Sequence, residues 1–208
     1  MTKTFDKRKL VLVEGKDELN LVKVLLKFFL GESFDREIKI EDIGGSSQFA
    51  CKLPALVKTT GFIEFVEIIA IVRDAENNLA ATYESIKGSL EKVGLSCPQQ
   101  IGTFTQETPS VGIYLMPDNK RAGMMEDLFL EAHKDNPIMD CVNKYMKCLE
   151  DKDVTQPNNI SKAKSQAFLA GMQEPTRNLG VAACKGYWNL ENESLKGFLN
   201  FIEHFANF

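Results

Sequence analysis

Acidic side chains stand at three places in this chain where an apolar run ends. Glu14 follows "KLVLV" (9–13), Asp74 and Glu76 close "FVEIIAIVRDAE" (65–76), and Asp118 follows "VGIYLMP" (111–117), with Glu126 and Asp127 shortly after. Grouped carboxylates repel one another unless a proton or a cation stands between them. Mg2+ and Mn2+ take such hard oxygen donors, usually a few carboxylates completed by water and phosphate oxygens. Residues two apart in an extended segment point to the same side, so Asp74 and Glu76 are expected to face one cation together. Glu14 joins them if the first and third strands are neighbours. Each acid also has a structural reading. Asp17 suits the N-cap of the helix that follows it, and Glu126 and Asp127 suit a helix N-terminus.

The run Glu14-Gly15-Lys16 invites comparison with a phosphate-binding loop. G-x-x-x-x-G-K-[ST] needs glycine at position 10 and Ser or Thr at 17, where the chain has Leu10 and Asp17, and no G-x-G-x-x-G replaces it. Gly15 is expected to open a tight turn out of the first strand. Lys16 is then either a solvated loop cation or a phosphate contact beside the metal. After Gly44-Gly45, Ser46 and Ser47 either meet phosphate or cap the next helix. Lys120 and Arg121 either neutralise backbone phosphate or are simply solvated. Tyr187 and Trp188 of "KGYW" either stack on a base or, for the chain's single Trp, fill the seam between core and tail.

The elements that must position these residues alternate in type. Strand patterns at 9–13, 37–43, 65–75 and 111–117 are separated by helical patterns at 17–30, 47–59 and 77–94, and a further helix starts near Met125. Pro54 is tolerated only near a first turn or at a kink. Such alternation implies β-α-β units and a mostly parallel sheet, and "EIIAIV" is apolar enough to be covered on both faces. Ligands bind beyond the carboxyl ends of such strands, where the acids lie. Beyond about residue 135 only helical patterns remain. The expectation is an α/β core over residues 1–134 with a helical C-terminal extension, 135–208, packed on it.

Composition adds bounds. The chain has 208 residues, 44% hydrophobic and 26% charged, which suits one sizeable core. Its net charge of −4 argues against coating nucleic acid by bulk electrostatics but leaves room for an acidic site that recruits cations. Five cysteines form no C-x-x-C pair. On one helix, Cys141 and Cys148 would stand roughly 10 Å apart along the axis, too far for a disulfide. With His133 and His204 distant from any cysteine pair, a zinc site is not expected. No apolar run approaches the roughly 20 residues that span a bilayer, and "MTKTFDKRK" lacks a signal segment. The expected setting is the cytoplasm, with no membrane partner.

"LVLVEGKDEL", "IEDIGGSS" and "IIAIVRDAEN" together resemble the Toprim domain of bacterial primases, topoisomerases, small maturation nucleases and the overcoming-lysogenization-defect (OLD) nucleases. That pattern has Glu after strand one, a Gly-bearing turn after strand two and Asp-x-Asp after strand three. Glu14, Gly44-Gly45 and Asp74-x-Glu76 take those places. "LMPDNKRAGMMEDLFL" and the layout through "KGYW" look like the DUF3226 type of Toprim-like protein, a resemblance that spans nearly the whole chain. It implies a Rossmann-like fold and Mg2+- or Mn2+-dependent hydrolysis of DNA or RNA phosphodiesters, with an ATPase as partner. It also implies metal ligation by Glu14, Asp74 and Glu76 and a general acid/base role for Glu14. Lys16 would assist as a catalytic cation, and Glu126 and Asp118 would support a second metal. Gly45, Ser46, Lys120 and Arg121 become substrate contacts. Glu76 departs from the pattern by one methylene, roughly 1.5 Å of reach. The alternatives are a non-catalytic metal- or nucleotide-binding regulatory module and a receiver-type phosphoacceptor domain centred on Asp74. A receiver is disfavoured by a single acid after strand one.

Overall fold

The computed structural model describes residues 5–45 and 48–208. Four strands, β1 (Lys9–Val13), β2 (Ile38–Asp42), β3 (Ile68–Asp74) and β4 (Ser110–Met116), form one sheet in the order β2-β1-β3-β4, with every pair parallel. β3 and β4 are buried at nearly every position, as a strand covered on both faces requires.

The period-two alternation of these strands divides the core in two. Val11, Val13, Ile68, Ala70, Val72, Tyr114 and Met116 face one layer. It is built by α1 (Lys16–Leu30), α5 (Met125–Ala132), α6 (Pro137–Asp151), α7 (Ile160–Ala170), α8 (Leu179–Cys184) and α9 (Lys196–Ala206). Leu10, Leu12, Ile69, Ile71, Val111, Ile113 and Leu115 face the other, made by α2 (Phe49–Val57), α3 (Phe62–Phe65) and α4 (Leu79–Glu91). Residues beyond 135 therefore supply much of one hydrophobic layer: Phe168, Trp188, Phe198, Phe201 and Phe205 are all buried in it. Trp188 packs edge-on against Phe129 of α5, and its Nε1 donates to Leu179 O at 3.0 Å, so the indole fills the seam between α5 and the tail. α2 carries Pro54 in its interior, and the serines expected at its start, Ser46 and Ser47, lie outside the described residues.

Several local devices hold this arrangement. α1 has Gly15 as N-cap; Asp17, expected to cap, sits inside the first turn, and its Oδ1 accepts from Gly180 N of α8 at 3.2 Å. There the helices touch so closely that a Cβ on Gly180 would meet Asp17 backbone at 2.7 Å. The edge of β4 is covered by its own preceding loop, with Gly102 N donating to Ile113 O and Thr105 N to Val111 O. His133 is buried, with Nδ1 2.7 Å from Phe129 O and Nε2 2.8 Å from Tyr187 O, so one ring clips α5 to the chain before Trp188. The five cysteines are unpaired. Among the described residues no helix is long and apolar enough to cross a membrane.

Replacing His133 by Ala would remove the ring that lies between the Phe129 and Tyr187 carbonyls, with the one hydrogen bond its N–H donates, and open a void. This should cost about 2–4 kcal/mol, read as a fall of roughly 5–15 °C in the thermal unfolding midpoint.

Candidate metal centre

The parallel register sets the site. Val13 of β1 lies opposite Val72 of β3, so the residues that follow, Glu14 and Arg73-Asp74, emerge side by side at the carboxyl rim. Glu14 is then fixed by its backbone. The amides of Gly44 and Gly45 both donate to its carbonyl, at 3.1 and 2.9 Å. They can do so because both glycines hold positive φ, +80° and +97°, which most side chains resist. Gly15 serves differently from the sequence-based expectation. Its φ of −154° is ordinary extended backbone. What it provides is space, since a Cβ there would lie 3.2 Å from Glu18 Oε2.

These elements bound a cleft of about 500 Å³ lined by Glu14, Lys16, Glu18, Asp74, Glu76 and Glu126, with Asp42, Gly44 and Gly45 on one side and Asn159, Lys162 and Asn178 of the tail on the other. Asp74, at the end of β3, is partly buried. Its Oδ1 accepts from Met125 N at 3.0 Å, the first amide of α5, which favours the carboxylate. Burial outweighs that bond, and the charges of Glu18, Glu14 and Glu126 add to it, so the Asp74 carboxyl is pushed well above the usual aspartate range. Burial likewise raises Glu18 to about 7, with Glu14, Asp17 and Glu126 as further contributors. Glu126 is raised by burial too, although Lys162 opposes the shift.

Arg73 reaches the same rim from below. It is 3% exposed, its Nε lies 3.5 Å from Glu14 Oε2, and its guanidinium sits over the Phe49 ring. Nη1 of Arg73 is buried without a hydrogen-bond partner among the described residues. Glu14 Oε2 is also 3.4 Å from Asp74 N, so this carboxylate leans toward β3. Among the described residues no three Asp, Glu, His or Cys side chains are gathered into a ready cation cage.

The sequence-derived candidates divide into two places. Glu14, Lys16, Gly45, Asp74, Glu76 and Glu126 border the acidic cleft. Strand alternation is not what puts Glu76 beside Asp74, however. β3 ends at Asp74, Ala75 turns inward, and Glu76 has φ +55° and forms an isolated bridge with Gly123. Asp118, Lys120 and Arg121 lie apart from this cleft. The Asp118 carboxylate turns back on its own loop, accepting from Lys120 N, Arg121 N and Arg121 Nε at 2.9–3.1 Å, and Asp118 and Lys120 line a separate cavity. Ser46 is outside the described residues. Glu18, Arg73 and Lys162 belong to the site or its support and were not singled out from sequence. Glu18 carried a signal: it begins the stripe Glu18, Leu21, Val22, Leu25 on the buried face of α1. Lys162 carried none, because α7 reaches the cleft only through the tertiary fold.

The raised acids set the pH dependence of stability. A folded-state value above the unfolded one favours folding while the group is protonated, and that contribution is lost as pH rises through the folded value. For Glu18 the window runs from about 4.5 to about 7. In chelator, the unfolding midpoint should fall between pH 5 and pH 8, and it should fall less in Glu18→Gln; thermal scans across that range test this.

The fold is shared with a solved structure. The C-terminal region of the Burkholderia pseudomallei OLD protein superimposes with a TM-score of 0.53 at 13% identity, covering 97% of this chain and 100% of that one. The C-terminal region of the Xanthomonas campestris pv. campestris OLD protein gives a TM-score of 0.49 at 13% identity, covering 98% of each chain. No protein of curated function matches the chain in sequence. The family described as "Protein of unknown function (DUF3226)" matches residues 8–207, and with nearly its whole length inside that match this chain is a member of the DUF3226 family.

Proposed function

We propose that this protein is a Toprim-like phosphodiester hydrolase of DNA or RNA that depends on Mg2+ or Mn2+. One observation carries the reading: acids from β1, α1, β3 and α5 share a single partly buried rim, where Glu18, Glu14 and Glu126 each raise the proton affinity of Asp74. A surface group of acids would separate in solvent; this one is held together by the ends of parallel strands and by a helix N-terminus. The donor set is right in kind for a hard cation, which would relieve the repulsion that otherwise favours protons. Asp74 and Glu14 would hold it with Glu18 and Glu126, and Glu76 would contribute from the exposed side. When bound, such a cation acidifies water and offsets the charge of a phosphodiester under attack.

The chain's own residues supply the remaining functions. Lys16, exposed at the start of α1, and Lys162, near the start of α7, bring positive charge to the mouth of an otherwise acidic cleft, where a phosphate backbone needs it. Glu14, beside Asp74 N and Arg73 Nε, would either hold the cation or take and return a proton at the reacting oxygen. A second reading, a non-catalytic metal- or nucleotide-binding module, is favoured by Glu14's lean toward Arg73 and by Glu76 standing where the Toprim pattern has Asp.

Incubation with single- and double-stranded DNA and RNA separates the two. Cleavage should require Mn2+ or Mg2+ and fall by about a hundredfold or more in Glu14→Gln and Asp74→Asn, with circular dichroism unchanged. Undiminished cleavage by Asp74→Asn would overturn the proposal. Mn2+ should also raise the unfolding midpoint more at pH 8 than at pH 5, because it competes with protons for the same carboxylates. That stabilisation without turnover on any substrate would select the binding module.

A further inference from the structure

The two edges of the sheet differ. The edge of β4 is shielded by the loop before it, whose amides bond to Ile113 and Val111. β2 forms the other edge and pairs with β1 alone. Its direction of bonding is fixed at both ends: Lys9 N donates to Glu37 O at 3.0 Å and Ile43 N to Val13 O at 2.9 Å. Alternate residues of a strand bond to the same neighbour, so the backbone of Lys39 and Glu41 also faces β1. That of Ile38, Ile40 and Asp42 points out of the sheet. Among the described residues only Lys52 Nζ approaches those outward groups, 3.5 Å from Asp42 O. Such a row of amides and carbonyls is a template for another strand.

The side chains of β2 select which strand. Edges are commonly guarded by a proline or a bulge, but β2 has no proline and its register with β1 is unbroken from Ile38 to Asp42. On the face toward α3 it carries Lys39 and Glu41, opposite charges two residues apart and paired with each other at 2.5 Å. A second copy of β2 laid antiparallel about Ile40 sets Lys39 opposite the copy's Glu41, and Glu41 opposite its Lys39. Both are non-hydrogen-bonded pairs, where Cα atoms stand only about 4.5 Å apart, so each charge keeps an opposite partner. The outward groups of Ile38, Ile40 and Asp42 are satisfied in the same register. Sliding the copy by two residues would set Lys39 against Lys39 or Glu41 against Glu41, so the charges fix the alignment. Apolar surface continues beside the strand. The Phe5 ring lies 4.7 Å from Lys39 Nζ and packs on Phe62 of α3, and α3 exposes Ile63 and Phe65. A five-residue ladder is a small contact by itself, and this surface is what enlarges it.

We propose that β2 is the contact edge of a homodimer, two copies of this chain joined antiparallel about a twofold axis at Ile40 so that their sheets become one. The contact is isologous, with each charge pair made twice. It sets the two acidic clefts at opposite ends of the joined sheet, and it holds whether or not those clefts hydrolyse phosphodiesters.

Sedimentation velocity of the full chain from about 1 to about 200 µM should show the mass rising from 23.3 kDa toward twice that value. Ile40→Pro removes an amide that points away from β1, so the bonds to β1 and the circular dichroism should persist while the dimer is lost. Lys39→Glu and Glu41→Lys each set like charges face to face, and each alone should dimerise at least about tenfold more weakly. Mixed in equal amounts, the two variants are complementary at both pairs, and a heterodimer of wild-type strength should return. Should Ile40→Pro fail to fold, the mixture decides alone. A mass of 23.3 kDa throughout the range would overturn the proposal. So would a dimer that survives in folded Ile40→Pro, or a mixture that associates no better than its components.

Discussion

Repulsion among carboxylates confined to one rim is the constraint around which this molecule is organised. Asp74 and Glu18 are enclosed enough that burial raises both, and each feels the charge of Glu14 and Glu126. Acids on mobile loops would move apart. Here Asp74 is held by β3 and by the first amide of α5, Glu14 by the paired amides of Gly44 and Gly45, and Glu18 by its place on the buried face of α1. The fold carries this electrostatic cost locally and offsets it with two hydrophobic layers that cover the strands on both faces.

The extension beyond residue 135 matters to the site as much as to the core. Its helices complete the layer over β1, β3 and β4, and Phe168, Trp188 and Phe198 are buried there beside strand residues. The same helices bring Asn159, Lys162 and Asn178 to the cleft. The tail therefore adds a second cation, Lys162, to Lys16 of α1, while the acidic floor comes from the sheet and the helices α1 and α5. Arg73 adds a third layer beneath, a buried guanidinium between Phe49 and Glu14 whose own hydrogen bonding is incomplete in the described structure.

Much of the acidic rim was readable in advance, since parallel strands place their last residues on one edge and the acids stood at those positions. The parts that escaped share a cause. Glu76 reaches the cleft through a left-handed backbone step, not through strand alternation. Asp118 satisfies its own loop amides and Arg121, and that local competition removes it from the cleft. Lys162 is 88 residues from Asp74 in sequence, and nothing local to α7 signals where it docks.

The sequence by itself determined the alternation of strands and helices, the burial of "EIIAIV" on both faces, and the presence of acids where strands stop, because hydrophobic period and strand ends are local properties of the chain. Tertiary structure alone decided which acids face one another, which turn back on their own loops, and that a distant helix lends the cleft a second lysine. Electrostatic coupling falls off over a few ångströms of space, and only packing converts separation along the chain into that distance.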